Sequence, residues 1–216
     1  AAPLAPDEHA RVTKQWVHAA NEAVCTALEQ RGARGGATLI CASILDRRLA
    51  LAHVGDCRLY LVRDGHAWLL TRDHSLAMAL ALQEGGGAAD MRHHPDRSKV
   101  TRSLGERAPL PDYYVDGLEQ SPTEGIPADS EPEAHQQRVA GQSTVELQDG
   151  DVLVLCSDGL WEPVLDDEIA DAVSHSAWSM HEAAEALVRK SLDRGAPDNA
   201  TLILLRVHSR PTTVGT

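Results

Sequence analysis

The sequence has no phenylalanine at all, and tryptophan and tyrosine bring the aromatic share to only 3%. The hydrophobic core must therefore be built from leucine, valine, isoleucine and alanine. The sequence also lacks an uninterrupted apolar run of about 18 residues, the length that a membrane-spanning helix needs, and it shows no signal peptide. We therefore expect a cytoplasmic protein that does not associate with membranes.

Basic residues are scarce relative to acidic ones, with 20 Lys and Arg against 32 Asp and Glu, which gives a net charge of -12. Because such a protein repels phosphates, the charge argues against a broad surface for nucleic acid or anionic lipid. The cysteines form no C-x-x-C pair, so we expect buried thiols in a reducing compartment. They are Cys25, Cys41, Cys57 and Cys156.

Histidine is more frequent, with 11 residues, but no H-x-x-E-H motif or Cys-His spacing favours a zinc site. The histidines considered for zinc are His53, His66, His74, His93 and His94. A serine nucleophile also lacks support, because Ser157 is not part of a G-x-S-x-G motif. The sequence thus favours neither a zinc centre nor a serine hydrolase.

Hydrophobic periodicity predicts a long helix followed by strands in the first part of the chain. Apolar residues at every fourth position indicate an amphipathic helix from Asp7 to Gly32. Strands are predicted at 37–45 and 48–56, and residues 57–71 are predicted to form a hairpin. Its turn is Asp64-Gly65, a dipeptide typical of two-residue hairpin loops. These strands are expected to pair sequentially and antiparallel.

The later part of the chain alternates helices with strands. We predict a short helix at 75–87, a strand in DVLVLC (151–156), helices beginning near Asp166 and Ser179, and a closing strand at 200–208. Some strands alternate apolar and polar residues and others are apolar throughout, which indicates sheets covered by further layers. The fold class is therefore α+β, an antiparallel β-sandwich flanked by helices.

Residues 108–137 differ from the rest of the chain, because they contain five prolines and seven acidic residues but no Lys or Arg. We expect a long acidic loop here, with its most mobile part from about Asp112 to Glu133. Residues 1–207 are otherwise predicted to form a single domain, and residues 208–216 a flexible tail.

Aspartates lie at the ends of several predicted strands. Asp158 follows the run VLVLC, and Asp198 precedes the final strand. If these two strands are antiparallel, both carboxylates lie at the same sheet edge, where oxygen ligands suit Mg²⁺ or Mn²⁺. Asp turns stabilised by Asx hydrogen bonds are the alternative. Asp73 also follows a strand, and Asp56 in VGD is interpreted as a turn residue.

Several longer stretches, taken together, are similar to the metal-dependent serine/threonine protein phosphatases of the PPM (type 2C) family, particularly its bacterial branch. They cover most of residues 35–207. In chain order they are GGATLICASI, LALAHVGDCRLYLVRDG, LLTRDHSLAMAL, HHPDRSKVTRSLG, LQDGDVLVLCSDGLWEPVLDDEIADAV and GAPDNATLILLRV. The combination of VGDCRLY, TRDHS, SDGLW and PDNAT is specific, whereas any one of them alone is weak.

The resemblance implies a β-sandwich phosphatase with two Mn²⁺ or Mg²⁺ ions at one end, or three ions when a third, weaker site is also filled. It implies that Asp158 and Asp198 are metal ligands that serve catalysis, and that Asp73 helps to hold the third ion. The water activated by the metal would hydrolyse phosphomonoesters of a protein phosphorylated by a Ser/Thr kinase. A monomer is expected.

The sequence departs from the family pattern at its start, because it contains neither D-G-x-G-G nor N-E-D. The resemblance places a metal-bridging Asp in D-G-x-G-G, so we expect an N-terminally incomplete domain that binds at most one Mn²⁺ tightly by itself. Two hypotheses follow: a phosphatase, or a degenerate phosphatase-like module that binds a partner. The presence of Asp73, Asp158, Asp198 and Asn199 together favours the enzyme.

Overall fold

The computed structural model describes residues 4–84, 94–106, 108–121, 141–175 and 179–208 of the 216-residue chain. Within them, strands form two four-stranded antiparallel sheets. In sheet 1, the second strand pairs with the other three: β1 (Leu39–Leu45), β2 (Arg48–Val54), β5 (Asp116–Gly117) and β6 (Val145–Glu146). Sheet 2 has the order β4 (His66–Leu69), β3 (Arg58–Arg63), β7 (Val152–Cys156) and β8 (Leu202–Arg206). The helices are α1 (Pro6–Gln30), α2 (Leu76–Gln83), α3 (Asp158–Trp161), α4 (Asp166–Ser174) and α5 (Met180–Asp193).

Leucine fills the space between the two sheets, as the absence of phenylalanine requires. Leu49 and Leu51 of β2 pack with Leu59 and Leu61 of β3 and with Leu153 of β7. All five are at most 3% exposed. Because alternate residues of a strand point to opposite faces, the residues between these leucines lie on the outer faces of the sheets.

Helices cover the outer face of sheet 2. Tyr60 of β3 and Val154 of β7 form a fully buried cluster with one large residue from each of three helices. These helical residues are Trp161 of α3, Ile169 of α4 and Leu187 of α5. The predicted α+β sandwich flanked by helices is confirmed.

Helix α1 covers the outer face of sheet 1 and nearly matches the predicted Asp7–Gly32 segment. Its Val17 is fully buried against Ala52 and Val54 of β2. Within the described residues, none of the helices combines the length and apolarity that spanning a bilayer requires.

Two local predictions about turns and caps are confirmed. The hairpin between β3 and β4 turns at Asp64-Gly65, where both residues have positive φ (52° and 78°), as type I′ turns require. At the start of α5, the Ser179 hydroxyl accepts from the Glu182 N–H at 3.2 Å, and the Ser179 N–H donates to the Glu182 carboxylate at 2.7 Å. This is the predicted capping box.

Part of the predicted acidic loop, residues 108–137, contains short regular elements. Two short 3₁₀-helices and strand β5 lie within 112–120, and Tyr114 and Leu118 are buried. These apolar side chains anchor part of a stretch that its charge indicated to be solvent-exposed, and the extent and mobility of the acidic loop stay a prediction. Residues 122–137 lie outside the described residues.

Other element ends differ from the predicted ones by a few residues. Helix α2 spans Leu76–Gln83 within the predicted segment 75–87, whose glycines were expected to end it, and residues 85–87 lie outside the described part of the chain. The closing strand spans Leu202–Arg206 instead of 200–208. The division into a domain and a tail stays a prediction.

Candidate metal centre

Strand β7 ends beside the start of β8, as the antiparallel arrangement predicted. Cys156 pairs with Leu202 at the last register position. The Ser157 N–H then donates to the Thr201 carbonyl at 3.0 Å, and the Ser157 hydroxyl accepts from the Thr201 N–H at 3.0 Å. The same hydroxyl donates to the Asn199 carbonyl at 3.1 Å. Ser157 thus ties the segment after β7 to the segment before β8.

At Gly159, the backbone next to Asp158 lies close to the backbone of Asp198 and Asn199. A Cβ atom on Gly159 would lie 2.6 Å from the Asn199 carbonyl oxygen and 2.9 Å from the Asp198 carbonyl oxygen. No side chain fits at that separation, so the close approach requires the glycine of the S-D-G motif. Asp158 and Asp198 therefore lie at the same sheet edge.

Both carboxylates also accept a local hydrogen bond, but from the next residue along the chain and not from the residue two positions on, as the Asx-turn alternative requires. The Gly159 N–H donates to Asp158 Oδ1 at 2.8 Å, and the Asn199 N–H donates to Asp198 Oδ1 at 2.6 Å. An ionised carboxylate has about four acceptor positions, so one such bond leaves capacity for a cation. These local hydrogen bonds are therefore compatible with metal binding at this edge.

Asp56 lies with these two residues, although the sequence predicted only a turn for it. Its side chain is buried, with the residue 5% exposed. Burial and the nearby charges of Asp158, Asp73 and Glu162 raise the pKa of Asp56 to about 6. Burial and the charge of Asp198 also raise the pKa of Asp158. We call Asp56, Asp158 and Asp198 the acidic centre. Its negative charges repel one another at neutral pH.

Asp73, the third predicted ligand, forms a buried ion pair with Arg58. Arg58 donates from Nε to Asp73 Oδ1 at 3.1 Å and from Nη2 to Asp73 Oδ2 at 2.9 Å, and both side chains are at most 1% exposed. The guanidinium lies 3.7 Å from the ring centroid of Trp161, and its Nη1 donates to the Tyr60 hydroxyl at 3.1 Å. The role of Asp73 as a metal ligand stays a prediction.

A second group of buried side chains, which the sequence did not predict, joins His53, His74 and Asp116. Each offers a potential ligand atom, and these atoms lie within 4.8 Å of one another. His53 and Asp116 are register partners on β2 and β5, and the two imidazoles stack with centroids 4.7 Å apart. Burial and the neighbouring His74 lower the pKa of His53 to about 3, so this ring is neutral. We call these three residues the histidine cluster.

Hydrogen bonding makes the histidine cluster a poor cation site. The Gly55 N–H donates to His74 Nδ1 at 3.1 Å, so Nε2 carries the proton and faces an Asp116 oxygen at 3.1 Å. Arg72 and Arg102 each donate to the Asp116 carboxylate at 2.9 Å. Burial alone would raise the pKa of Asp116, but the hydrogen bonds and charges of its partners lower it. A metal would have to displace these groups.

The acidic centre fits a hard divalent cation better, because its donors are carboxylate oxygens whose charges are not balanced. Among the described residues, the oxygen atoms of its three carboxylates do not all lie within 4.8 Å of one another, as the ligand atoms of the histidine cluster do. Wider spacing suits two ions, which in dinuclear sites lie about 3.5–4 Å apart. The assignment of Asp158, Asp198 and Asp73 as ligands of such ions stays a prediction.

Two signals for the missed residues were present in the sequence. His53 has the same strand parity as Leu49 and Leu51, so it points between the sheets. Asp56 ends its apolar run as Asp158 does. Asp116 had no such signal, because its segment was interpreted as a loop.

Comparison with known proteins identifies the family of this chain. The family model "Protein phosphatase 2C" matches residues 6–200. The serine/threonine protein phosphatase PstP of Mycobacterium tuberculosis is 31% identical over 194 residues, which is 88% of this chain and 32% of PstP. "Probable protein phosphatase 2C 54" of Oryza sativa subsp. japonica is 29% identical over 203 residues, 91% of this chain and 51% of that protein. The chain thus spans about half, or less, of the length of these two relatives.

Solved structures agree with the sequence comparison. The crystal structure of the catalytic domain of PstP in complex with two manganese ions has a TM-score of 0.66 at 27% identity. The match covers 93% of this chain and 72% of that one. With a family match across nearly the whole chain and a shared fold, this chain belongs to the protein phosphatase 2C family.

Proposed function

We propose that the chain is the catalytic core of a metal-dependent phosphatase that removes phosphate from serine and threonine residues of proteins. The observation that carries the proposal is the acidic centre, in which Asp158 and Asp198 lie at one sheet edge without a pairing Lys or Arg among the described residues. Family membership and the manganese ions of the PstP catalytic domain support it.

Asp158 and Asp198 would hold Mn²⁺ or Mg²⁺ through their carboxylate oxygens. When bound, such ions supply an activated water and offset the negative charge of a phosphoryl group. The chain's own contribution is placement. Ser157 ties the two strand ends together, and Gly159 allows the close backbone approach that brings Asp158 to Asp198. Asp158 is partly buried, which lowers the dielectric around its carboxylate and strengthens its attraction for a cation.

The proposal includes a substrate class, a cellular location and an oligomeric state. The substrate would be a protein phosphorylated by a Ser/Thr kinase, and the chain would act as a cytoplasmic monomer. Membership of the family supports the proposed substrate class. The surplus of 12 negative charges argues against nucleic acid as a partner.

The test compares Mn²⁺-dependent hydrolysis of p-nitrophenyl phosphate and a phosphoserine peptide by wild-type protein, Asp158→Asn and Asp64→Asn. Asp64 lies in the exposed β3–β4 turn and serves as the matched control. Because the sequence has no D-G-x-G-G, we also test an extended form that carries this motif ahead of residue 1. Asp158→Asn should reduce turnover of the extended form by roughly 100-fold or more.

The contrary outcome is an extended form that stays inactive with Mn²⁺, or whose activity does not change in Asp158→Asn. The chain would then be a degenerate phosphatase-like module that binds a partner, which is the alternative function.

A further inference from the structure

We infer that Arg72 and Arg102 form an anion site beside the metal centre, which binds a negatively charged side chain of the phosphoprotein substrate next to the residue that loses its phosphate. The ligand is a carboxylate or a second phosphate, since both present paired oxygens to a guanidinium. The inference rests on the proposed function and adds a substrate preference to it. It follows from the way in which the two arginines share one buried aspartate.

Asp116 receives more positive charge than its neutralisation requires. Arg72 donates from Nη2 to Asp116 Oδ2, and Arg102 donates from Nη1 to Asp116 Oδ1, each at 2.9 Å. Among the described residues, the buried Asp73 pairs by contrast with one arginine, Arg58. Two positive charges and one negative charge leave a surplus of +1 at Asp116, so one of its two guanidinium groups is not needed for neutralisation.

The two guanidinium groups are only partly used by Asp116 and still reach solvent. The side chains of Arg72 and Arg102 are 32% and 27% exposed, whereas that of Asp116 is 5% exposed. Within the described part of the chain, Arg72 hydrogen-bonds through Nη2 and Arg102 through Nη1. A guanidinium has five N–H donors, so donors on the other nitrogen atoms remain for a second acceptor.

The arginines are held in place before any ligand binds. Asp116, which anchors both, lies on β5 as the register partner of His53. Arg102 Nη1 also donates to the Tyr113 carbonyl at 3.1 Å, and its guanidinium lies 5.9 Å from the ring centroid of Tyr114. Because these contacts already restrict the guanidinium groups, an anion loses little binding energy to the ordering of long side chains.

Backbone contacts place the two arginines next to the acidic centre. His74, two residues after Arg72, donates its backbone N–H to the Gly55 carbonyl at 3.0 Å, and its Nδ1 accepts from the Gly55 N–H at 3.1 Å. The Thr101 N–H donates to the His74 carbonyl at 2.7 Å, which brings the segment before Arg102 to the same place. Gly55 directly precedes the first aspartate of the acidic centre. A peptide with its phosphate at the metal centre can therefore place a flanking residue at the arginines.

The overall charge of the protein makes such a site selective. With a net charge of -12, the protein repels acidic peptides over most of its surface. The positive surplus at Arg72 and Arg102 is an exception next to the centre where the phosphate must bind. An acidic side chain that flanks the phosphorylated residue would gain a charge-assisted hydrogen bond there, whereas a neutral glutamine would gain a weaker one.

The experiment compares phosphoserine peptides that differ at one flanking position, which holds glutamate, phosphothreonine or glutamine. This position is moved through the residues on either side of the phosphoserine. Fluorescence anisotropy measures the affinity of each peptide for the 216-residue chain with Mn²⁺. Steady-state kinetics of the extended form gives kcat and KM for the glutamate and glutamine peptides.

The variants are Arg72→Met and Arg102→Met, each of which leaves one arginine on Asp116. The matched control is Arg47→Met, in the β1–β2 turn at the opposite end of sheet 1, whose arginine is 40% exposed and pairs with Asp149. Thermal unfolding checks that each variant is folded. The readout is the ratio of the affinities for two peptides, because a variant that merely loosens the fold weakens the binding of both alike.

Wild-type protein and Arg47→Met should bind the glutamate or phosphothreonine peptide about three- to fivefold more tightly than the glutamine peptide. The preference should appear in KM rather than in kcat, and Arg72→Met and Arg102→Met should each lose most of it. A preference for glutamate identifies the ligand as a carboxylate, and a preference for phosphothreonine alone identifies it as a second phosphate. Both results support the inference.

Equal binding of the three peptides by wild-type protein would overturn the inference, as would a preference that folded Arg72→Met and Arg102→Met both keep. The proposed function then still stands if the extended form is active with Mn²⁺. A preference that depends on the arginines, found together with an inactive extended form, would instead overturn the proposed function and leave the anion site in a partner-binding module.

Discussion

The acidic centre and the histidine cluster are both groups of titratable side chains near the end of β2, but their charges are balanced differently. In the histidine cluster, Asp116 receives hydrogen bonds from Arg72 and Arg102 and faces His74. In the acidic centre, no described Lys or Arg pairs with any of the three carboxylates. Close spacing alone therefore does not mark a cation site. Unbalanced charge is the better criterion.

The ion pair of Arg58 and Asp73 extends this comparison, because it adds a neutralised carboxylate next to the acidic centre. Asp73 is as buried as Asp116 and has a cation partner, as Asp116 does. Asp56 is similarly buried, and no Lys, Arg or His in the described part of the chain forms an ion pair with it. Among the described residues, these three buried aspartates thus separate into two that are paired with cations and one that is not.

The largest expected effect is on stability, from Arg58→Met alone. This variant leaves the Asp73 carboxylate buried and unpaired, and we expect it to lower the free energy of unfolding by about 3–5 kcal/mol. The matched variant is Arg102→Met, whose side chain is 27% exposed and whose partner Asp116 keeps Arg72 and His74. It should cost about 1 kcal/mol. Urea denaturation of the metal-free proteins measures both, and equal losses would contradict the account.

The second effect concerns the pH dependence of stability in metal-free protein. The pKa of His53 is lowered to about 3 in the folded state, so below pH 6.5 the unfolded chain binds a proton that the folded protein does not. Stability from this group is therefore lost as the pH falls from 6.5 towards 3, by about 3 kcal/mol between pH 7 and 4.5. His53→Asn should remove this loss, as urea denaturation at both pH values will detect.

Asp56 should give a pH dependence of the opposite sign. Because its folded-state pKa is raised to about 6, its contribution to stability is greatest below its unfolded value of 3.8 and is lost as the pH rises through 6. Asp56→Asn should therefore stabilise the metal-free protein at pH 7 and have little effect at pH 4. An unchanged profile in both variants would mean that the two groups do not differ in charge balance.

The smallest expected effects are two changes in the free energy of unfolding at neutral pH without metal. Removing one charge from the acidic centre and one from the histidine cluster should change it in opposite directions. Asp158→Asn relieves repulsion in the acidic centre and should raise the free energy of unfolding slightly. Asp116→Asn removes the partner of two arginines and should lower it by about 1–2 kcal/mol. Thermal unfolding compares the two variants. Destabilisation by both would indicate that Asp158 already has a partner.

Much of the fold could be predicted from local patterns. Strand alternation and the Asp64-Gly65 turn placed β1 to β4, and the fourfold apolar repeat placed α1, because these signals depend on neighbouring residues. The segment around Tyr114 could not be placed that way. Its buried side chains pack against elements that are distant in sequence, while its charge and prolines indicated a loop.

The candidate site likewise has a part that local patterns predict and a part that they do not. The strand ends were enough to predict that Asp158 and Asp198 share an edge, since antiparallel pairing fixes it. The sequence could not show that Asp73 is paired with Arg58, or that Asp56 is buried beside Asp158. Both facts depend on side-chain directions in the assembled sandwich rather than on spacing along the chain.

The most direct test of the central claim is a calorimetric Mn²⁺ titration of wild-type protein, Asp158→Asn and His53→Asn under identical conditions. The account predicts that wild-type protein and His53→Asn bind Mn²⁺ with the same affinity, and that Asp158→Asn binds it at least about tenfold more weakly. The contrary result would be binding that is lost in His53→Asn and kept in Asp158→Asn. That result would place the metal in the histidine cluster and show that close spacing, not unbalanced charge, determines where the cation binds.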